Sequence, residues 1–165
     1  MSDFIRILNL IKTRRDPTWL TTSQQEALLA LRKALQIPGT VNLCGIAGVG
    51  KTFLAWILAD ELGYTYFPHI DRFMQSGGSL TDGVIVDNCQ PERQIHRNTL
   101  KLLRFRNVRH TVLISRQLIR DYTHYVELRL TPDDQAKVWQ TLTALGLFQE
   151  ITEAPNLWHL LNPRL

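Results

Sequence analysis

Eight consecutive residues can do chemistry together. Gly45-Ile46-Ala47-Gly48-Val49-Gly50-Lys51-Thr52 fits the pattern G-x-x-x-x-G-K-[S/T] in full. Glycines let such a backbone turn its N–H groups inward as an anion nest, and a helix starting at the loop's end adds its positive pole to that nest. Lys51 is the expected partner of the β- and γ-phosphates of a nucleoside triphosphate, ATP or GTP. The Thr52 hydroxyl is the expected magnesium ligand, and Phe53 continues the binding segment. The competing reading is a glycine-rich turn between a strand and a helix that holds nothing.

About 35 residues further on, Val84-Ile85-Val86-Asp87 is an apolar strand closing on a carboxylate. By itself this is a buried strand ending in a solvated aspartate. After a phosphate loop it reads as a second magnesium holder, acting mostly through the water shell that magnesium keeps. The next residue is Asn88. An amide can hydrogen-bond a water but cannot accept its proton, so hydrolysis is expected to be slow unless another residue supplies the base. Asp82, Glu92 and Asp121 are the nearest carboxylates in sequence. A third apolar run, Thr111-Val112-Leu113-Ile114, ends in Ser115 and Arg116, either of which can sense a γ-phosphate at the same sheet edge. Arginine suits that work because its fork matches phosphate oxygens and stays charged.

A different pattern occupies 92–106. Arg93, Arg97, Lys101 and Arg104 recur at spacings of 4, 4 and 3, which places them on one stripe of a helix. The stripe can track nucleic-acid phosphates or an acidic protein, and it can equally be a solvated helix face. It has no interleaved aromatics to stack on bases.

These groups need a scaffold that brings strand ends together. Helical spacing of Phe4, Ile7, Leu8 and Ile11 predicts a first helix over Asp3–Arg14, stopped by Pro17. A second is predicted from Ser23, as N-cap with Glu26 in a capping box, to Pro38-Gly39. Strands are expected at Thr40–Cys44, Tyr64–Phe67, Gly83–Asp87, Thr111–Ser115 and Val126–Leu130, with helices at Thr52–Leu62, Glu92–Arg106 and from Thr131-Pro132 to Gly146. Phe73–Asp82 reads as a loop or a frayed helix end. Strands alternating with helices imply a mainly parallel sheet covered on both faces, with ligands beyond the carboxyl ends of its strands. The chain divides as an N-terminal helical segment (1–38) packed on a core (39–146), with a tail (147–165) belonging to the same domain.

At 165 residues with 44% hydrophobic and 21% charged content, a single globular domain is expected. No apolar run is long enough for a membrane span, and the amphipathic start does not resemble a secretory leader. Cys44 and Cys89 are isolated and read as small buried hydrophobes, not as a disulfide or a zinc site. A cytoplasmic protein is the expectation. The net charge of +4 allows an acidic partner without requiring one.

Taken together, the motifs resemble those of the STAND NTPases, signal-transduction relatives of the AAA+ ATPases. Gly45–Ala55 looks like their phosphate loop, Val84-Ile85-Val86-Asp87-Asn88-Cys89 is similar to their second acidic motif, and Leu113-Ile114-Ser115-Arg116 resembles their strand ending in Ser-Arg or Thr-Arg. Val126–Ala136 resembles the strand, turn and helix that close the family's core. The resemblance implies a three-layer α/β/α P-loop NTPase sandwich, adenine nucleotide as ligand, and switching coupled to assembly with itself or a partner. Two departures stand out: little chain follows the core to form the usual lid and winged-helix domains, and no second sensor arginine is evident apart from Arg164. They suggest that a partner chain completes the machine, or that this is a minimal switch.

Three functions therefore compete. One is a regulatory ATPase with slow hydrolysis. Another is a non-hydrolysing ATP-loaded adaptor that docks DNA or protein through the basic helix. The last is a small-molecule or nucleotide kinase, disfavoured because the Phe73–Asp82 loop is short and no arginine follows Arg72 in it.

Overall fold

Five parallel strands, each rich in β-branched or leucine side chains, form the centre of the protein. In the computed structural model the strands are β1 (Gly39–Cys44), β2 (Thr65–Phe67), β3 (Gly83–Cys89), β4 (His110–Ser115) and β5 (Tyr125–Glu127), in the order β2-β3-β4-β1-β5. All four pairings are parallel. The structure describes residues 3–76, 81–90, 101, 107–119 and 124–146. The basic stripe, apart from Lys101, lies outside those residues, as do Glu92, Asp121, Arg164 and the 147–165 tail.

Side-chain alternation along the strands feeds two cores. Ile85 on β3 and Val112 and Ile114 on β4 join the larger cluster, with Leu31, Leu54 and Leu58 of the helices. Their neighbours Val84, Val86 and Leu113 point the other way, to Phe67 and Phe73. A sheet apolar on both faces must be covered on both, because a period of two sends successive residues to opposite sides. Each fully buried leucine or phenylalanine contributes about 1.5–3 kcal/mol relative to exposure.

The helices whose bounds lie among the described residues are α1 (Asp3–Arg14), α2 (Thr22–Ala34), α3 (Lys51–Leu62), α4 (Ile70–Gln75) and α5 (Pro132–Ala144), with a 3-10 turn at Pro17–Trp19. On α1, Ile7 is buried against Leu142 of α5. The start of α2 differs from expectation. Thr21 is the N-cap and Gln24 completes the capping box, so Ser23 and Glu26 do not form it. Ser23 contributes its backbone N–H to Asp134 of α5 instead, at 3.0 Å. Gln24 won over Glu26 because it is buried, where a neutral amide can pair on both its oxygen and its nitrogen. The α5 cap matches the expectation, with Thr131 and Asp134 forming a box and Pro132 at the first turn.

Two elements have bounds that the sequence left open or placed differently. Of the two readings of Phe73–Asp82, a loop or a frayed helix end, its start is a helix end: α4 runs to Gln75, anchored by the wholly buried Phe73. The strand expected over Val126–Leu130 is only Tyr125–Glu127, after which Leu128 still donates its N–H to the Cys44 carbonyl at 2.8 Å. No helix among the described residues is long and apolar enough to cross a membrane.

Candidate functional site

The phosphate loop leaves β1 at Cys44 and enters α3 at Lys51. Gly50 is its N-cap, held at φ 86 where a side chain would be strained, so the turn into the helix depends on glycine. Gly45 is needed for a different reason: a Cβ there would lie 2.4 Å from the Leu128 carbonyl oxygen. Lys51 is buried, and its ammonium donates to the carbonyls of Gly45 and Ile46 at 2.6 and 2.7 Å. Burial lowers the Lys51 pKa; the Asp87 carboxylate opposes that shift, and the Arg116 charge adds to it. Val49 is fully buried in the core, whereas the Ile46 side chain is 65% exposed. The buried amide of Gln24 donates to the Val49 carbonyl at 3.3 Å, tying the start of α2 to the loop.

Asp87, only 4% exposed, faces the loop from β3. The Thr52 hydroxyl donates to its Oδ2 at 2.7 Å, and the Tyr66 hydroxyl donates to the same oxygen at 2.8 Å. Its Oδ1 accepts from the Asn88 N–H at 2.7 Å. The two residues expected to hold magnesium are thus in contact across 35 positions of sequence. Hard oxygen donors fit magnesium, which is bound through one or two protein groups plus phosphate oxygens and waters. No cluster of three His, Cys, Asp or Glu side chains able to cage a metal occurs among the described residues.

Strand order places the third motif. Because β4 lies between β1 and β3, Ser115 is in register with Cys44 on one side and Cys89 on the other. Arg116 follows it and is exposed. The same register separates the two cysteines by two strand spacings, about 9–10 Å, which is too far for a disulfide. Both thiols are free. Burial, then the Asp87 charge, pushes the Cys89 pKa up to about 12, so it is an inert thiol at neutral pH.

Solved structures share this architecture. A DNA replication initiation factor aligns at TM-score 0.55 and 15% identity, over 79% of this chain and 54% of its own. AMPPCP-bound DnaA from Aquifex aeolicus aligns at 0.52 and 14%, over 82% and 58%. Thermotoga maritima RuvB aligns at 0.53 and 17%, over 74% and 50%. This chain has the P-loop NTPase fold. It spans about half the length of these structures. No protein-family model matches the sequence, and no curated protein matches it.

Within this NTPase fold, a cavity of about 920 Å³ opens over the phosphate loop. Ala47, Gly48, Gly50, Lys51, Thr52, Phe53, Asp87, Asn88, Ser115 and Arg116 line it, so most of the site residues named from sequence converge there. A largely apolar wall comes from Leu8 and Ile11 of α1, Trp19, and Val138, Leu142 and Leu145 at α5, with Asn9, Lys12 and Thr141 among them. Such a wall suits a planar base, with the polar loop at the phosphate end.

Three placements qualify the sequence reading. Asn88 has φ 53, a left-handed conformation that Asn tolerates better than most residues, and its side-chain amide donates to the Pro68 carbonyl at 3.0 Å. The Ser115 hydroxyl is committed to protein partners, accepting from Asn42 at 2.9 Å and donating to the Gln117 carbonyl at 2.6 Å. Asp82, weighed as a base, precedes β3 at the amino edge of the sheet, with its carboxylate 3.8 Å from Arg109 and His110. It is at the wrong end of the strand. Tyr66, Trp56, Gln24 and Asn42 were missed. Asn42 alone carried a signal, a lone amide within an apolar strand; the others look like ordinary amphipathic positions until the strands are ordered.

Proposed function

We propose that this protein is an ATP-binding regulatory P-loop NTPase of the STAND/AAA+ type, cytoplasmic, with slow hydrolysis coupled to assembly with itself or a partner. The observation that carries this is the Thr52–Asp87 contact at the mouth of the phosphate loop, with Lys51 beneath it. Lys51 binds the β- and γ-phosphates, leaving the Gly45 and Ile46 carbonyls to do so. Thr52 and Asp87 hold magnesium, which neutralises phosphate charge when bound. Arg116 reads the γ-phosphate from the end of β4. The apolar wall between α1 and α5 receives the adenine. The AAA+ ATPases among the structural neighbours, one of them bound to AMPPCP, support this reading.

One observation favours a second reading, the non-hydrolysing adaptor. Asn88 follows Asp87 and gives its amide to Pro68, so no carboxylate stands at that position to take a proton from water. In that case DNA or a protein docks on Arg93, Arg97, Lys101 and Arg104, and one structural neighbour is named as a DNA replication initiation factor. Joint charge reversal of Arg93, Arg97 and Lys101 then weakens the partner and spares nucleotide, and DNA affinity falls steeply with salt.

Calorimetric titration of ATP, ADP and GTP with magnesium, followed by phosphate release, decides between them. Adenine-selective binding with slow release supports the switch, and binding with no release supports the adaptor. Lys51→Ala should weaken nucleotide about 100-fold through lost charge-assisted bonds; unchanged affinity would remove the site assignment.

A further inference from the structure

The middle of β1 holds a side chain that the catalytic reading does not use. Val41 and Leu43 enter the larger core, while Asn42 between them faces the other side of the sheet and is 0% exposed. Its Nδ2 donates to the Leu113 carbonyl and to Ser115 Oγ, both at 2.9 Å. Its Oδ1 accepts from the Ile119 N–H at 3.0 Å. Ser115 Oγ in turn donates to the Gln117 carbonyl at 2.6 Å. A buried amide is costly unless it is paired, and here it is paired on both its oxygen and its nitrogen.

Holding β1 to β4 does not require this side chain. Asn42 and Leu113 are already registered partners in the backbone ladder. What the amide adds is beyond the end of the strand, where the ladder stops. The chain leaves β4 at Ser115, and Asn42 grips it at two points, through Ser115 and, four residues on, through the Ile119 N–H. Arg116 lies between the two grips. Arg116 and Lys51 line the same cavity over the phosphate loop.

We infer that Asn42 is a positioning residue that fixes the β4 exit loop so that Arg116 meets the terminal phosphate, and thereby sets the preference for nucleoside triphosphate over diphosphate. The inference rests on the nucleotide-binding reading proposed above. Charge-assisted bonds from a guanidinium to a phosphate are worth a factor of about ten or more when the guanidinium is held in place. A loose loop forfeits most of that factor, because the long arginine side chain must then be ordered at the moment of binding.

The test measures magnesium-dependent affinity for a non-hydrolysable ATP analogue and for ADP on the full chain. Wild type, Asn42→Ala, Ser115→Ala, Arg116→Ala and the Asn42→Ala/Arg116→Ala double variant are compared. Asn42→Ala should lower the triphosphate preference about tenfold while ADP affinity stays within about twofold. The double variant should be no worse in that ratio than Arg116→Ala alone, since Asn42 acts through Arg116. Ser115→Ala breaks only one grip, keeps the buried amide, and should move the ratio in the same direction even if Asn42→Ala folds poorly. Equal weakening of both nucleotides by Asn42→Ala, or a further loss of preference in the double variant, would overturn the inference. Failure of the wild-type chain to bind either nucleotide would overturn the nucleotide reading itself.

Discussion

The Tyr66 hydroxyl lies 2.8 Å from Asp87 Oδ2, the oxygen to which Thr52 also donates. Burial, with the Asp87 charge beside it, raises the Tyr66 pKa, so the phenol stays protonated and donates to the carboxylate. Tyr66 therefore orients the carboxylate from β2, the strand next to β3. The Trp56 ring meets it edge-on at 6.1 Å, placing a fluorophore within the same group.

Tyr66→Phe should cost about 1–2 kcal/mol, since a bond to a charged acceptor is lost while Thr52 and the Asn88 N–H still satisfy Asp87. Urea unfolding followed by tryptophan emission reads both the stability and the Trp56 environment. An unchanged midpoint would mean that the phenol does not support Asp87.

Gly45→Ala should be far more damaging than its single methyl suggests. The new Cβ would meet the Leu128 oxygen at 2.4 Å, and both contacting segments are backbone with nowhere to relax. Moving Leu128 away would also strain its bond to the Cys44 carbonyl. A loss of about 2–4 kcal/mol is expected from overpacking together with loop distortion. Denaturant titration measures it, and wild-type stability would show that the loop can shift.

Asp134 makes stability depend on acid. Burial by itself would raise its pKa, but hydrogen bonds from Ser23 and Thr131 outweigh burial, and it titrates at about 2. A carboxyl depressed below its ordinary 3.8 contributes stability that is present above that value and is lost as pH falls towards 2. The contribution at neutral pH is about 2 kcal/mol. Asp134→Asn should be less stable by that order at pH 7, with the gap closing below pH 4 in matched thermal melts. A gap independent of pH would point to geometry rather than charge.

Asn88→Glu should destabilise by about 2 kcal/mol, combining left-handed strain at φ 53 with loss of the bond to Pro68. Asn88→Gly, which adopts that conformation freely, should lose only the hydrogen bond. Equal stabilities for the two variants in chemical denaturation would rule out the backbone argument.

The phosphate loop, Asp87 and the parallel α/β architecture were legible in the sequence because their causes are local. Glycine at Gly50 answers a backbone need within the turn. Apolar runs such as Val84–Val86 announce strands buried on both faces, and Thr131-Pro132 announces a helix start. Strand order is not local. Nothing in the run from Thr111 to Ser115 says that it inserts between β1 and β3, yet that insertion brings Arg116 to the cavity that Lys51 and Asp87 also line. Pairings across distant positions are hidden for the same reason. Tyr66 on Asp87, Gln24 on Val49, Asn42 on Ile119 and Ser23 on Asp134 join segments whose separation in sequence carries no periodic signal. The sequence by itself singled out the residues proposed to bind phosphate and metal. Only the tertiary structure decided which polar side chains hold them in place, because a buried donor must find its acceptor wherever packing brings one.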